Sequence, residues 1–421
     1  MNKVAFLFSG QGSQYVRMGK TFFERYESVR RRFSEASEVL GFNISDLCFN
    51  GTSEVLTKTE NTQPAILILS VAMFEVAVNE GLRPSYLAGH SLGELSALTA
   101  AGVFPFTDAV RLARIRGEAM ASCSHDNKGG MIAVTNMEPS TIEIVLKELE
   151  KKGCDVKIAN YNTPTQTILS GSTEGISFVE EHLRRLGANV IPLNVSGPFH
   201  SPYMMGAVNP MITALSEMNL GGMNIPVMNC HEGRLYTKDD DIRSVLAAQL
   251  TGAVRWTKVL THLYSNGVTH WVEMGPKDVL KKLTLQTLSN VLVYAYDNEI
   301  DREAIKKELR LSVRSDKTVP DLVALCLGAA VSTRNTNWDE EAYQKGVVEP
   351  YKNIQILYEL IMKEQRHSNE EEISKALTLL QRILVTKGVS QEECHKRIRM
   401  LLHKSNTDIL LPEYGHLSIV K

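Results

Sequence analysis

The stretch Ala88-Gly-His-Ser-Leu-Gly-Glu94 sets Gly89-x-Ser91-x-Gly93 between a short strand, Tyr86–Ala88, and a helix that the pattern predicts over Leu92–Ala101. A sharp strand-to-helix turn requires glycine on both sides of its central residue, because the neighbouring backbone comes too close for a Cβ. Such a turn raises Ser91 at a helix N-terminus, where the Leu92 N–H and the helix dipole favour a developing negative charge. That combination points to a nucleophilic serine. The plainer alternative is a helix-capping serine in a Gly-flanked turn.

The surrounding chain alternates strand and helix signals through its first 300 residues, which predicts an α/β fold. Val4–Phe8 reads as the first strand, Ala65–Glu80 as a helix, and His270–Glu273 followed by Lys277–Thr284 as a strand and helix. Between them the order becomes strand (Met131–Val134), helix (Ser140–Lys152), strand (Val156–Ala159), strand (Thr167–Ser170), helix (Thr173–Leu186), strand (Asn189–Asn194), with a turn at Asn162-Thr-Pro164. That is the order of a ferredoxin-like split βαβ unit, inserted into the larger one. Ser140-Thr-Ile-Glu143 has the spacing of a capping box. The expected organisation is a hydrolase-like α/β core at 1–128 and 197–300, a ferredoxin-like subdomain at 129–196, and a helical extension at 305–421. In the extension, Ile373, Ala376, Leu377, Leu380, Ile383 and Leu384 share one helical face, Ser390-Gln-Glu-Glu393 caps a further helix, Arg314–Pro320 reads as a hinge and Asn335–Trp338 as a loop.

Composition excludes several classes. With 46 Lys+Arg against 48 Asp+Glu, the whole chain carries no charge reason to bind nucleic acid or an anionic membrane. The N-terminal apolar run ends at Phe8, so it is read as a strand and not a signal peptide; the Ala65–Val78 run falls short of the roughly 18 residues of a membrane span. Six scattered cysteines, with no Cys-x-x-Cys pair, argue against a structural metal or redox motif and for a reduced, cytoplasmic, soluble protein.

Four further features bear on chemistry. Ser9-Gly-Gln-Gly-Ser-Gln14 follows the first strand and offers the Gln11 N–H as a second oxyanion donor. In the helix Thr107–Ser122, Ala109, Leu112, Ala113, Ala119 and Met120 form one apolar face with Arg116 in its middle, while Arg111 and Arg114 point the other way. A buried guanidinium requires an anionic partner. That partner is either a substrate carboxylate held in a bidentate clamp or an internal carboxylate such as Glu118 or Glu94. Ser196-Gly-Pro-Phe-His-Ser-Pro202 places His200 in a loop at the junction of the two units, where a cleft is expected, as the candidate base for Ser91. His90 adjoins the serine but points away from it, and is read as packing in the pocket wall. Gln249, near the end of a helix, can orient His200 through its carbonyl or its side chain, although alone it is an ordinary helix terminus.

These elements, in this order, closely resemble the malonyl-CoA:acyl carrier protein transacylases and the free-standing, trans-acting acyltransferases of polyketide synthases. The matching stretches are Gly10-Gln-Gly-Ser-Gln14, Thr62-Gln-Pro-Ala65, Gly89-His-Ser-Leu-Gly-Glu94, Arg114-Ile-Arg-Gly117, Asn160-Tyr-Asn-Thr-Pro164, Phe199-His200, Gln249-Leu and Glu273-Met-Gly-Pro276. They lie within residues 1–300; beyond about 305 nothing matches the pattern. The resemblance implies transfer of a malonyl group from malonyl-CoA to the phosphopantetheine thiol of acyl carrier protein, in fatty-acid or polyketide synthesis, with no metal and no bound cofactor. It implies Ser91 as nucleophile, His200 as base and the Gln11 and Leu92 amides as oxyanion hole. Arg116 then holds the malonyl carboxylate, Gln249 supports His200, and Asn160 or Asn162 lines the pocket with His90. Phe199 looks like the malonyl-selective version, its ring leaving little room for an α-methyl branch. Two other functions fit parts of the pattern: an acyl hydrolase that clears stalled carrier proteins, and a non-catalytic carrier-protein-binding subunit. The extension is expected to be a helical cap packed on the core, or a docking module for a polyketide synthase or a partner acyltransferase.

Overall fold

The computed structural model describes residues 3–126, 129–309, 321–363, 368 and 370–405. The chain forms two compact units, one of residues 1–77 and 82–309, the other of residues 310–421 with 78–81.

The first unit contains strands β1 (Lys3–Phe8), β2 (Tyr86–Gly89), β3 (Gly129–Thr135), β4 (Lys157–Thr163), β5 (Gln166–Ser172), β6 (Asn189–Pro192), the short pair β7 (Met228–Asn229) and β8 (Arg234–Leu235), then β9 (Val268–Met274) and β10 (Leu292–Ala295). A parallel sheet runs β10-β9-β1-β2, with Ala5 opposite Tyr86 on one side and Trp271 on the other. β1 is apolar and buried from Val4 onward, as a central parallel strand covered on both faces must be. An antiparallel sheet runs β4-β5-β3-β6, and the Pro139–Glu150 and Thr173–Arg185 helices connect its strands. The segment before the Trp256–Ser265 helix runs alongside β4, where Tyr161 N–H donates to the Val254 carbonyl and Val254 N–H to the Ala159 carbonyl, both at 2.9 Å.

Several elements depart from the sequence reading. β10 carries no sequence signal strong enough to identify it: four residues with alternating burial are too short a run. The expected capping box is absent. The helix begins at Pro139 with Glu138 in the capping position and no side-chain cap, so Ser140 already lies in the first turn. Proline's fixed φ, ready for the first helical position, sets that start. The apolar run from Ala65 belongs to a 21-residue helix, Thr59–Asn79, which by length and composition can cross a membrane; 89% of its most apolar window is buried in the protein, which accounts for that composition.

The second unit has its own core. Leu322, Cys326, Ile354, Ile361, Cys394 and Ile398 pack together, and so do all six residues of the expected apolar face from Ile373 to Leu384. The Ser390 hydroxyl accepts from Glu393 N–H at 3.3 Å, as the capping pattern predicts, and residues 334–339 form a loop with Trp338 exposed. The expected hinge at Arg314–Pro320 lies outside the described residues.

The Ser91 turn depends on bare backbone. A Cβ on Gly89 would fall 1.9 Å from the Gly93 carbonyl carbon, and one on Gly93 would fall 2.0 Å from the Phe8 carbonyl oxygen. Neither neighbour can move without shifting the sheet. A Cβ on Gly130, in β3, meets nothing within 4 Å. Gly93→Ala is therefore expected to destabilise the fold by about 3 kcal/mol or more, beyond the usual overpacking range, and Gly130→Ala by less than about 1 kcal/mol. Thermal unfolding of the two variants beside the parent checks the contrast.

Candidate active site

Ser91 sits where β2 ends and the Gly93–Ala100 helix begins, with φ 53°, a left-handed conformation costly for a residue bearing a side chain. Gly93 N–H donates to the His90 carbonyl and Glu94 N–H to the Ser91 carbonyl, tightening the turn. His200, also at positive φ (57°), reaches Ser91 Oγ with Nε2 at 2.7 Å. Its Nδ1 lies 2.9 Å from the Gln249 backbone carbonyl. A carbonyl only accepts, so the proton sits on Nδ1 and leaves Nε2 as the acceptor facing the serine hydroxyl. Burial, reinforced by the nearby Arg116 cation, holds the imidazole down at about 3. It is therefore a neutral base throughout the physiological range.

Arg116 is 2% exposed, in the Phe106–Asp126 helix. Its Nη1 donates to Gln63 Oε1 at 2.7 Å, and its Nη2 to Gln249 Oε1 at 3.0 Å and to Ser91 Oγ at 3.2 Å. Neither of the carboxylates considered as internal partners pairs with it. Glu118 is taken by Arg114 at 2.6 Å, and Glu94 is bonded to the Gln249 side chain. Burial lowers the guanidinium to about 10, while Cys230 and Glu94 oppose the shift; it remains cationic at neutral pH. The arrangement is a cation beside a nucleophile, held by neutral amides, without a protein counter-ion in contact among the described residues.

A cavity of about 410 Å³ opens onto these groups. Gln11, His90, Ser91, Arg116, Asn160, Asn162, Phe199 and His200 all line it, so nearly every residue singled out from the sequence converges there. Phe199 is buried and contributes a rigid apolar wall together with Met120 and Ile168. Both asparagines are in place. Asn162 Oδ1 accepts from His90 Nε2–H at 3.0 Å, and Asn162 Nδ2 donates to Gln166 Oε1 at 3.1 Å. The His90 ring also packs edge-on against Trp256, and burial keeps it neutral. The Gln11 and Leu92 backbone N–H groups have no hydrogen-bond partner among the described residues; Gln11 lines the cavity and Leu92 follows Ser91 in the chain.

Two outcomes differ from the expectation. Gln249 does not line the cavity. Its carbonyl supports His200 as expected, whereas its side chain holds Arg116. Gln63 was given no role from sequence, although it lies in the Thr62–Ala65 stretch. A glutamine that is fully buried at the head of an apolar helix is the signal that finds it.

A hydroxyl activated by a neutral imidazole, with two backbone donors and a fixed cation beside it, is an arrangement for acyl transfer by way of an acyl-serine. The comparisons agree with that chemistry. Residues 5–313 match the model of the acyl transferase domain family. The chain is 33% identical over 388 residues to a malonyl CoA-acyl carrier protein transacylase of Bacillus subtilis, covering 92% of this chain and 97% of the relative. It is 36% identical over 311 residues to the Escherichia coli K12 transacylase, covering 73% and 100%. The solved transacylase of Clostridium perfringens superposes with a TM-score of 0.71 at 33% identity, over 73% of this chain and 97% of that one. A malonyl-transacylase solved in complex with a type II polyketide synthase acyl-carrier protein gives 0.70 at 33% identity, over 73% and 100%. This chain belongs to the malonyl CoA-acyl carrier protein transacylase family of acyltransferases and shares their α/β fold. An alignment over 92% of the chain cannot end near residue 309. The C-terminal portion, which matched no pattern in the sequence reading, is therefore shared in part with the Bacillus relative.

The depressed His200 has a consequence for pH. The folded protein keeps this ring neutral, whereas the unfolded chain protonates it below about 6.5. Its contribution to stability thus weakens as pH falls through that value, while base function persists. Modification of Ser91 by a serine-directed fluorophosphonate is expected to proceed at the same rate from about pH 5 to pH 8. A loss of rate centred near 6.5 contradicts this.

Proposed function

We propose that this protein moves a malonyl group from malonyl-CoA to the phosphopantetheine thiol of acyl carrier protein through a malonyl ester of Ser91. The observation that carries the reading is Arg116, a buried cation 3.2 Å from the serine oxygen with no carboxylate among the described residues against it. A charge in that position recovers its desolvation cost only when an anion arrives, and the malonyl carboxylate is an anion attached to the acyl group being transferred.

The steps follow from the groups present. Ser91 Oγ attacks the thioester carbonyl while its proton passes to His200 Nε2, and the oxyanion forms against the Gln11 and Leu92 N–H groups. Collapse expels coenzyme A, which takes the proton from His200. In the second half the carrier-protein thiol gives its proton to His200 and attacks the ester, and the departing Ser91 Oγ takes that proton back from His200. No metal or bound cofactor enters this scheme. Phe199 restricts the space beside the acyl group, which favours malonyl over branched units. An acyl hydrolase acting on neutral chains has no use for Arg116, and a non-catalytic binding subunit has none for a serine bonded to a neutral histidine.

The same reading takes 1–128 and 197–300 as a hydrolase-like core and 129–196 as a ferredoxin-like subdomain, supported by the parallel sheet and by the β4-β5-β3-β6 order with its two helices. It places the enzyme in the cytoplasm, in keeping with six scattered cysteines and no Cys-x-x-Cys pair. It takes 305–421 as a helical docking module for a polyketide synthase, supported by a separate core in that unit.

Ser91→Ala is expected to reduce malonyl loading to background. Arg116→Ala should lower kcat/KM for malonyl-CoA about 100-fold or more, the range for removing a partner of a buried charge pair, and change acetyl transfer far less. Steady-state assays with both thioesters decide; equal losses remove Arg116 from its role. Deleting residues 310–421 is expected to leave loading of isolated carrier protein intact and to impair loading of carrier domains within a synthase, measured by mass spectrometry of each acceptor.

A further inference from the structure

Behind the cavity wall lies a second polar group. The Glu94 carboxylate, on the first turn of the helix that follows Ser91, is completely buried and touches neither the cavity nor the serine hydroxyl. Its Oε1 accepts from Tyr236 Oη. Its Oε2 accepts from Cys230 N–H at 3.0 Å and from Gln249 Nε2 at 2.9 Å. These partners are all donors, an environment that suits a carboxylate and offers nothing to a carboxylic acid proton. Burial pushes Glu94 above the usual carboxylate range, and the same donors oppose that shift.

Gln249 links this carboxylate to the cation. Its Nε2 is committed to Glu94, with a longer contact to the Ser91 carbonyl at 3.3 Å, so its Oε1 is left to accept from Arg116 at 3.0 Å. The inverted amide would set an NH2 group against the guanidinium and a carbonyl against the carboxylate, two repulsive contacts in a dry interior. Glu94 therefore selects the amide orientation that Arg116 requires. We infer that Glu94 is a positioning residue for acyl-group selection, acting through the Gln249 carboxamide to hold Arg116 aimed and cationic while leaving it open to a substrate carboxylate; this rests on the malonyl-transfer reading above.

The indirect connection is what makes the site usable. A carboxylate in direct contact with Arg116 would occupy the guanidinium and compete with the substrate. One side chain further away, the charge still favours the protonated guanidinium, and three of its five N–H donors are used among the described residues, on Gln63, Gln249 and Ser91.

The test is steady-state kinetics of the full-length protein, with malonyl-CoA and acetyl-CoA as donors and holo acyl carrier protein as acceptor. Glu94→Gln keeps the shape but removes the charge and lets residue 94 present an NH2 to Gln249. It is expected to raise KM for malonyl-CoA about tenfold, as for weakening one charge-assisted neighbour, with kcat/KM for acetyl-CoA within about twofold. Tyr236→Phe removes one donor to the carboxylate and should move the same parameter in the same direction by about two- to threefold. It decides the matter if circular dichroism shows that Glu94→Gln does not fold. Equal losses with both thioesters, or no change with either, would overturn the inference while leaving the malonyl reading in place. Parent protein that takes no malonyl group would overturn both.

Discussion

A guanidinium has been buried next to a serine hydroxyl and tied down by glutamines, and the rest of the site is arranged around that fact. Desolvating a cation costs several kcal/mol. Three hydrogen bonds from Arg116 to Gln63, Gln249 and Ser91 offset part of this, since each bond involving a charged group is worth about 1.5–3 kcal/mol. The remaining imbalance is what a substrate carboxylate can supply. The same cation acts on the chemistry: it helps burial to keep His200 neutral, so that the base stays ready to take the serine proton.

Placing these groups together requires distant parts of the chain to meet at one end of the parallel sheet. β1 delivers the Gly10–Gly12 loop, β2 delivers Ser91, and both turns leave no room for side chains: a Cβ on Gly10 would fall 2.4 Å from the His90 carbonyl oxygen. Ser9 Oγ and the Leu280 and Lys281 N–H groups all bond the buried Glu273 carboxylate at the end of β9, which ties the end of β1, just before the Gly10–Gly12 loop, to the next helix. The antiparallel sheet closes the other side of the cavity with Met131, Ala133 and Ile168. Acyl transfer between thiols benefits from a pocket with such apolar walls, where hydrogen bonds to the oxyanion are not diluted by solvent.

Much of this was legible in the sequence because the signals are local. The Gly-x-Ser-x-Gly turn, the apolar face that contains Arg116 and the strand-helix order of residues 129–196 each depend on residues within about one element of each other, and all appear as expected. What stayed hidden depends on long-range pairing. Nothing near Gln63 indicates that it will meet Arg116, 53 positions away, and nothing near Glu94 points to Gln249 or Tyr236. β10 was missed because four residues carry too little periodicity, and the cap before Pro139 because proline's backbone preference outweighed the Ser-x-x-Glu spacing. The choice between a substrate partner and an internal partner for Arg116 could not be made from helical phase alone. Three-dimensional placement of Glu94 and Glu118 shows only that neither carboxylate contacts the guanidinium.

The most direct test of the account is a crystal structure of the protein trapped after reaction with malonyl-CoA in the absence of carrier protein. The account predicts an ester on Ser91 whose free carboxylate lies within hydrogen-bond distance of the Arg116 guanidinium. An ester whose carboxylate points to solvent, with Arg116 engaged only by Gln63 and Gln249, would contradict it.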